Sequence, residues 1–173
     1  MSNPFELFEL PVQFQIDSQL LSTRYLALQK SLHPDNFSAS SSIEQRLAMQ
    51  KSAEINDALH ILKDPILRAE AIIHIHTGEQ QDIEQKSTRD MAFLMQQMEW
   101  REALESIEST KNEAELTAFS EEIKQEEQLI LAQLENSLGS QQWTEALAIN
   151  DKLRFIKKLQ IEIERVEEKL FDF

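Results

Sequence analysis

The sequence contains no cysteine, only two glycines, four prolines and one tyrosine, and its 17 basic residues are outnumbered by 31 acidic ones. Without cysteine there are no disulfides and no thiolate metal sites, which fits a reducing compartment. With so few glycines and prolines the chain has few turn signals. Leu, Ala, Glu, Gln and Lys dominate instead, all strong helix formers, so an almost purely helical protein with short connections is expected. A net charge of −14 argues against non-specific nucleic-acid or anionic-membrane binding, which needs basic patches. No apolar run is long enough to span a bilayer, and the N-terminus shows neither a secretory nor a transit pattern. Ordered structure is expected from about Asn3, leaving no room for a removable leader, and the chain reads as cytoplasmic, binding neither membrane nor nucleic acid.

The 173 residues suit one or two small domains, and the charge is unevenly shared. Residues 1–75 hold nine acidic and six basic side chains; residues 76–173 hold twenty-two and eleven, so −11 of the −14 lies in the second part. Asn3-Pro4 opens a short helix that Pro11 closes. Asp17 caps a second helix, with Leu21, Tyr25, Leu28 and Leu32 on one face and Arg24 and Lys30 off it. Ser41-x-x-Glu44 is a capping box starting a third, with Leu47, Ala48, Ile55, Ala58, Leu59 and Leu62 inward. Asp64-Pro65 starts a short fourth through Ile66, Leu67, Ala71 and Ile72, ended by Gly78. Residues 76–86 read as a junction between a domain over 1–75 and another over 87–173. The second begins at Ser87-x-x-Asp90 and contains three long helices: one with Met91, Leu94, Met95, Met98 and Leu104, one capped by Asn112 with Leu116, Phe119, Ile123, Ile130 and Leu134, and one from Gly139-Ser140 to Leu170. Tight turns between long helices make an antiparallel three-helix bundle.

His33-Pro34-Asp35 is the stretch around which the first domain is organised. Pro34 disfavours helical geometry at His33, so the second helix should end near Leu32, with His33 extended on a loop. Asp35 is expected to fold its carboxylate onto nearby backbone N–H groups. As a catalytic dyad His33 and Asp35 lack a nucleophile, and flanking a proline they should diverge. His74 and His76, two apart on a helix, point to different faces and do not form a metal site by themselves; His60 is expected to be partly buried.

A short helix, two long antiparallel helices with His33-Pro34-Asp35 between them, and a closing helix, carrying Phe8, Leu10, Tyr25, Leu28, Phe37, Ala58-Leu59, Asp64-Pro65 and Arg68, resemble a J-domain over roughly residues 3–75. The second part, with Thr88-Arg89-Asp90, Ala92-Phe93-Leu94-Met95, Lys152-Leu153-Arg154-Phe155 and Glu167-Glu168-Lys169-Leu170, extends the resemblance to the HscB family over nearly the whole chain. The resemblance implies an all-α protein, an N-terminal J-domain followed by a C-terminal antiparallel three-helix bundle. It implies a co-chaperone, not an enzyme, with no cofactor or metal. Its J-domain would stimulate the ATPase of a dedicated heat-shock-class chaperone (HscA type) through His33, Pro34, Asp35, Arg24 and Lys30. Its bundle would deliver an iron–sulfur cluster scaffold protein (IscU type) through Leu94, Met98 and Phe155, with Met95, Glu99 and Glu102. The lack of an N-terminal cysteine-rich module supports a bacterial form. Asn36 departs from the lysine that many members carry after the tripeptide.

Other readings stay open on the residues alone. Arg24 and Lys30 also suit solvated helix charge, and the methionines suit a core as well as an adaptable binding surface. Yet Phe93, Leu94, Met95, Met98 and Trp100 cannot all face inward from one helix, and of Phe155 and Ile156 one should point out, so exposed apolar surface is expected. A helical adaptor whose J-like half docks without activating a chaperone is the alternative function; a metal-dependent hydrolase using histidines and acids is a third.

Overall fold

The computed structural model describes residues 3–78 and 90–171, which fall into two compact units. Seven α-helices and no β-strand occur among the described residues.

In the first unit, α1 (Pro4–Leu7) starts where Asn3 Oδ1 accepts the Glu6 N–H at 2.9 Å. It ends before Pro11, contrary to expectation: Glu9 takes a left-handed φ of 52° and the Leu10 N–H reaches back to Phe5 O at 2.9 Å, so the chain has already turned. Phe5 and Phe8 are buried. α2 (Ser18–Ser31) is capped by Asp17 and α3 (Ser42–Lys63) by Ser41. The two run antiparallel. Tyr25 OH donates to Asn56 Oδ1 at 2.7 Å and Ser52 Oγ to Gln29 Oε1 at 2.8 Å, so numbers rise on one helix as they fall on the other. α4 (Pro65–Thr77) is capped by Asp64 and closed by Gly78 at φ 72°, a conformation only glycine adopts freely.

The inward stripe of α3 is Ala48, Ile55, Ala58 and Leu62. Leu47, expected inside, is 58% exposed, because it stands about 100° around the helix from Ala48. His60 is exposed for the same reason, against expectation. Leu67 and Ala71 of α4 are half-buried, while Ala69 and Ile73 join Ile66 and Ile72 in the core. Arg68 donates to Leu62 O at 2.7 Å and lies over the Phe14 ring at 4.5 Å, tying α4 to the end of α3 and to the segment before α2. Burial lowers its pKa, with Asp64 opposing the shift.

α4 continues to Thr77, two residues into the expected junction, whose positions 79–86 lie outside the described residues, as does Ser87. In the second unit the cap of α5 (Met91–Thr110) is Asp90, whose Oδ1 accepts the Phe93 N–H at 3.0 Å. α6 (Glu113–Gly139) is capped by Asn112, and α7 (Trp143–Phe171) completes the bundle. The turns use Lys111 and Gln141 at φ 55° and 59°. Gly139, expected at the break, is still helical. Ion pairs Asp90–Lys152 (3.2 Å), Arg101–Glu162 (3.6 Å) and Glu108–Lys169 (3.2 Å) align α5 parallel to α7, so α6 runs against both. The core is Leu104, Ile107, Leu116, Phe119, Ile123, Ile130, Leu134, Leu153, Ile156, Leu159, Ile163 and Val166. Each fully buried side chain of this size contributes about 1.5–3 kcal/mol of hydrophobic stabilisation. Trp143 and Leu147 are only half-buried.

Candidate functional site

The first candidate site is the turn after α2. The helix gives way at Leu32, His33 is extended (φ −58°, ψ 138°), and Pro34–Phe37 form one 3₁₀ turn, the outcome Pro34 dictates. Backbone closure comes from the Asn36 N–H to His33 O at 2.9 Å. Against the expectation from the sequence, the Asp35 carboxylate does not bond the backbone; instead His33 Nδ1 accepts the Asp35 N–H at 3.2 Å, and the Asp35 side chain is exposed. In consequence the two side chains converge, His33 Nδ1 lying 3.5 Å from Asp35 Oδ2, rather than diverging. Both are exposed, and the Ser38 hydroxyl donates to the backbone Asp35 O at 3.3 Å, not to either side chain.

Two residues missed as functional in the sequence hold this turn. Asn36 Nδ2 donates to Lys30 O at 2.8 Å, which also accepts the His33 N–H at a longer 3.4 Å, and to Ser31 O at 3.3 Å, at the end of α2. Gln45 Nε2 on α3 donates to Phe37 O at 2.9 Å. An amide side chain within six residues of a helix end was the available signal for Asn36. Lys30 is exposed on the last turn of α2. Arg24 is only partly available: its Nη1 donates to Phe8 O at 2.8 Å and Glu9 O at 2.6 Å, pinning the end of α1, so neither solvated charge nor free docking residue describes it fully.

The second candidate site is the outer face of α5. Met91, Leu94, Met95 and Met98 recur at three- and four-residue steps and share one side, 67%, 37%, 60% and 62% exposed. Glu102 continues the stripe, Glu99 flanks it, and both are exposed. The opposite side buries Trp100, Leu104 and Ile107, with Phe93 half-buried. Leftover apolar surface is therefore present, carried by the methionines and Leu94. Phe155 is not part of it. At 9% exposure it lies beneath α5, edge-on to Phe93 at 5.8 Å and stacked on Trp100 at 6.1 Å, with Arg101 5.4 Å above its ring. Phe155 and Ile156 are both buried because α7 is covered on adjacent sides, Phe155 by α5. Lys152, 5.5 Å over Phe93, holds Asp90 in an ion pair. The Asp90 carboxyl lies below its ordinary range, through the Phe93 N–H first and Lys152 second.

No group of three or more His, Asp or Glu side chains able to hold a metal occurs among the described residues; His74 and His76 are exposed on α4. Between α6 and α7 a groove of about 470 Å³ is lined by Glu121, Lys124, Gln128, Gln160, Ile163 and Glu164.

A helical hairpin with an exposed His-Pro-Asp turn at its tip, followed by an all-helical bundle, defines the architecture of a J-domain co-chaperone. The chain is 67% identical over 171 residues to the co-chaperone protein HscB homolog of Pasteurella multocida, covering 99% of both chains. The chain belongs to the HscB family of co-chaperones. The family model described as the HSCB C-terminal oligomerisation domain matches residues 89–164. The Haemophilus influenzae homolog is 62% identical over 99% of each chain. Chaperone HscB from Vibrio cholerae superposes with a TM-score of 0.87 at 44% identity, over 98% of this chain and 99% of that one. Human co-chaperone protein HscB gives 0.86 at 25% identity, over 95% and 82%. No described helix is long and apolar enough to cross a membrane.

Proposed function

We propose that this chain couples a scaffold protein of iron–sulfur cluster assembly (IscU type) to a heat-shock-class chaperone (HscA type) in the cytoplasm, and carries out no chemistry of its own. The first unit, residues 1–75 in outline, is the docking domain; the second, 87–173, is the scaffold-binding domain. His33, Pro34 and Asp35 contact the chaperone ATPase and trigger hydrolysis, with Lys30 and the unused edge of Arg24 supplying positive charge. Leu94, Met95 and Met98 are the apolar anchors for the scaffold, and Glu99 and Glu102 lie at their rim. Phe155 serves by supporting α5 from below.

The observation that supports this most is the exposed apolar stripe of α5 on one compact unit and the exposed His-Pro-Asp turn on the other. Exposed apolar stripes edged by acids suit a protein partner, and separate units let two partners be held at once. The test is a pair of variants. His33→Gln should abolish stimulation of the chaperone ATPase and leave scaffold affinity unchanged, whereas Leu94→Ala with Met98→Ala should do the reverse. Loss of both activities in either variant contradicts the division.

A further inference from the structure

We infer that Asn36 is a positioning residue: its side-chain amide ties the His33-Pro34-Asp35 turn to the end of α2 and so presents the turn for docking. The inference rests on the docking role proposed above.

The last turn of an α-helix leaves carbonyl oxygens short of N–H partners, and here Pro34, four residues beyond Lys30, has no N–H to give, so Lys30 O takes a long bond from the His33 N–H at 3.4 Å. Asn36 Nδ2 supplies donors instead, at 2.8 Å to Lys30 O and 3.3 Å to Ser31 O. The same residue closes the 3₁₀ turn through its own N–H to His33 O at 2.9 Å. Asn36 is therefore bonded both to the helix before the tripeptide and to the first residue of the tripeptide. The far side is held by Gln45 from α3, through Phe37 O and Ser40 O. The two amides clamp a turn that buries none of its four residues and so receives little fixing from packing. With the exposed His33 ring bonded only to Asp35 within that turn, the direction of the imidazole depends on the backbone that Asn36 holds. Release of the clamp leaves every docking side chain in place but lets the turn sample other orientations, which a partner must then re-order on binding.

The test uses the full chain in three variants. Asn36→Ala removes the donors without adding charge, Asn36→Asp replaces the donors by an acceptor at the negative end of α2, and Asn36→Lys restores donors of a different shape. In the chaperone-free protein, nitrogen NMR of the His33 ring and the Asp35 amide should shift in the Ala and Asp variants and return toward wild type in Asn36→Lys. The urea midpoint should stay near wild type. In single-turnover ATP hydrolysis, the Ala variant should need about fivefold more protein for half-maximal stimulation, with the maximum unchanged, as for loss of one net hydrogen bond. Unshifted His33 and Asp35 signals overturn the inference, and so does an unshifted half-maximal concentration with an active wild type. A lowered urea midpoint with unshifted signals overturns it too, by assigning Asn36 to fold stability alone. A wild-type chain that does not stimulate defeats the docking role, and the NMR arm then decides the placement of Asn36 separately.

Discussion

Replacing Phe155 with alanine should destabilise the bundle before it affects any partner. The ring is almost wholly enclosed, in contact with Phe93 and Trp100 and covered by Arg101. Truncating such a side chain costs about 3–5 kcal/mol, of which the two aromatic pairs account for about 0.5–1.5 kcal/mol each. In a unit of this size each kcal/mol lowers Tm by about 4–8 °C, so a fall of more than about 12 °C is expected. Both tryptophans, Trp100 and Trp143, lie in the bundle, and the one tyrosine, Tyr25, lies in the first unit. Tryptophan fluorescence in urea therefore reads the bundle, and its unfolding midpoint should fall. Scaffold affinity should fall in proportion to the loss of a well-ordered α5. If Phe155→Ala keeps the bundle within about 0.5 kcal/mol of wild type, as a surface change does, yet loses scaffold binding, Phe155 is a contact anchor and the burial argument is wrong.

The other expectations can be checked on the same protein. Leu94→Ala with Met98→Ala should leave the tryptophan-detected midpoint unchanged and weaken scaffold binding about thirtyfold or more, at roughly 1–2 kcal/mol per anchor; calorimetry measures both. Chaperone docking through Lys30 and Asp35 should weaken steeply with salt, and scaffold binding should not, since exposed charges are screened and apolar contacts are not; equal slopes in a salt titration count against the assignment. The depressed Asp90 carboxyl binds its proton less readily folded than unfolded, so its contribution is present above the ordinary carboxylate range and is lost as pH falls through the folded value. Asp90→Asn should therefore flatten the acid side of the bundle's stability–pH curve, measured by urea unfolding between about pH 3 and pH 7. Burial raises the Asp151 carboxyl, which acts in the opposite sense, so Asp151→Asn should steepen the same curve.

Helix starts are legible because a capping side chain sits next to the N–H groups it satisfies: Asn3, Asp17, Ser41, Asp64 and Asn112 all cap as the sequence leads one to expect. The tip of the hairpin is legible for the same local reason, since Pro34 acts on its immediate neighbour. What fails is the assignment of faces where several apolar residues are consecutive. Leu47 and Ala48, and Phe155 and Ile156, are all apolar, so apolarity does not say which of each pair is covered, and the neighbouring helix decides it. Left-handed turns at Glu9 and Gln141 are hidden because neither residue type favours positive φ, and the penalty is met by closure of the chain around them. The tether from Arg24 to Phe8 and Glu9 spans a separation that no local pattern encodes.

The most direct measurement is single-turnover ATP hydrolysis by an HscA-type chaperone, alone, with the wild-type chain, and with His33→Gln, each checked for folding by circular dichroism. The wild type should accelerate hydrolysis, and the folded His33→Gln variant should leave it at the rate of the chaperone alone. Full stimulation by His33→Gln, or none by the wild type, would contradict the role given to this turn.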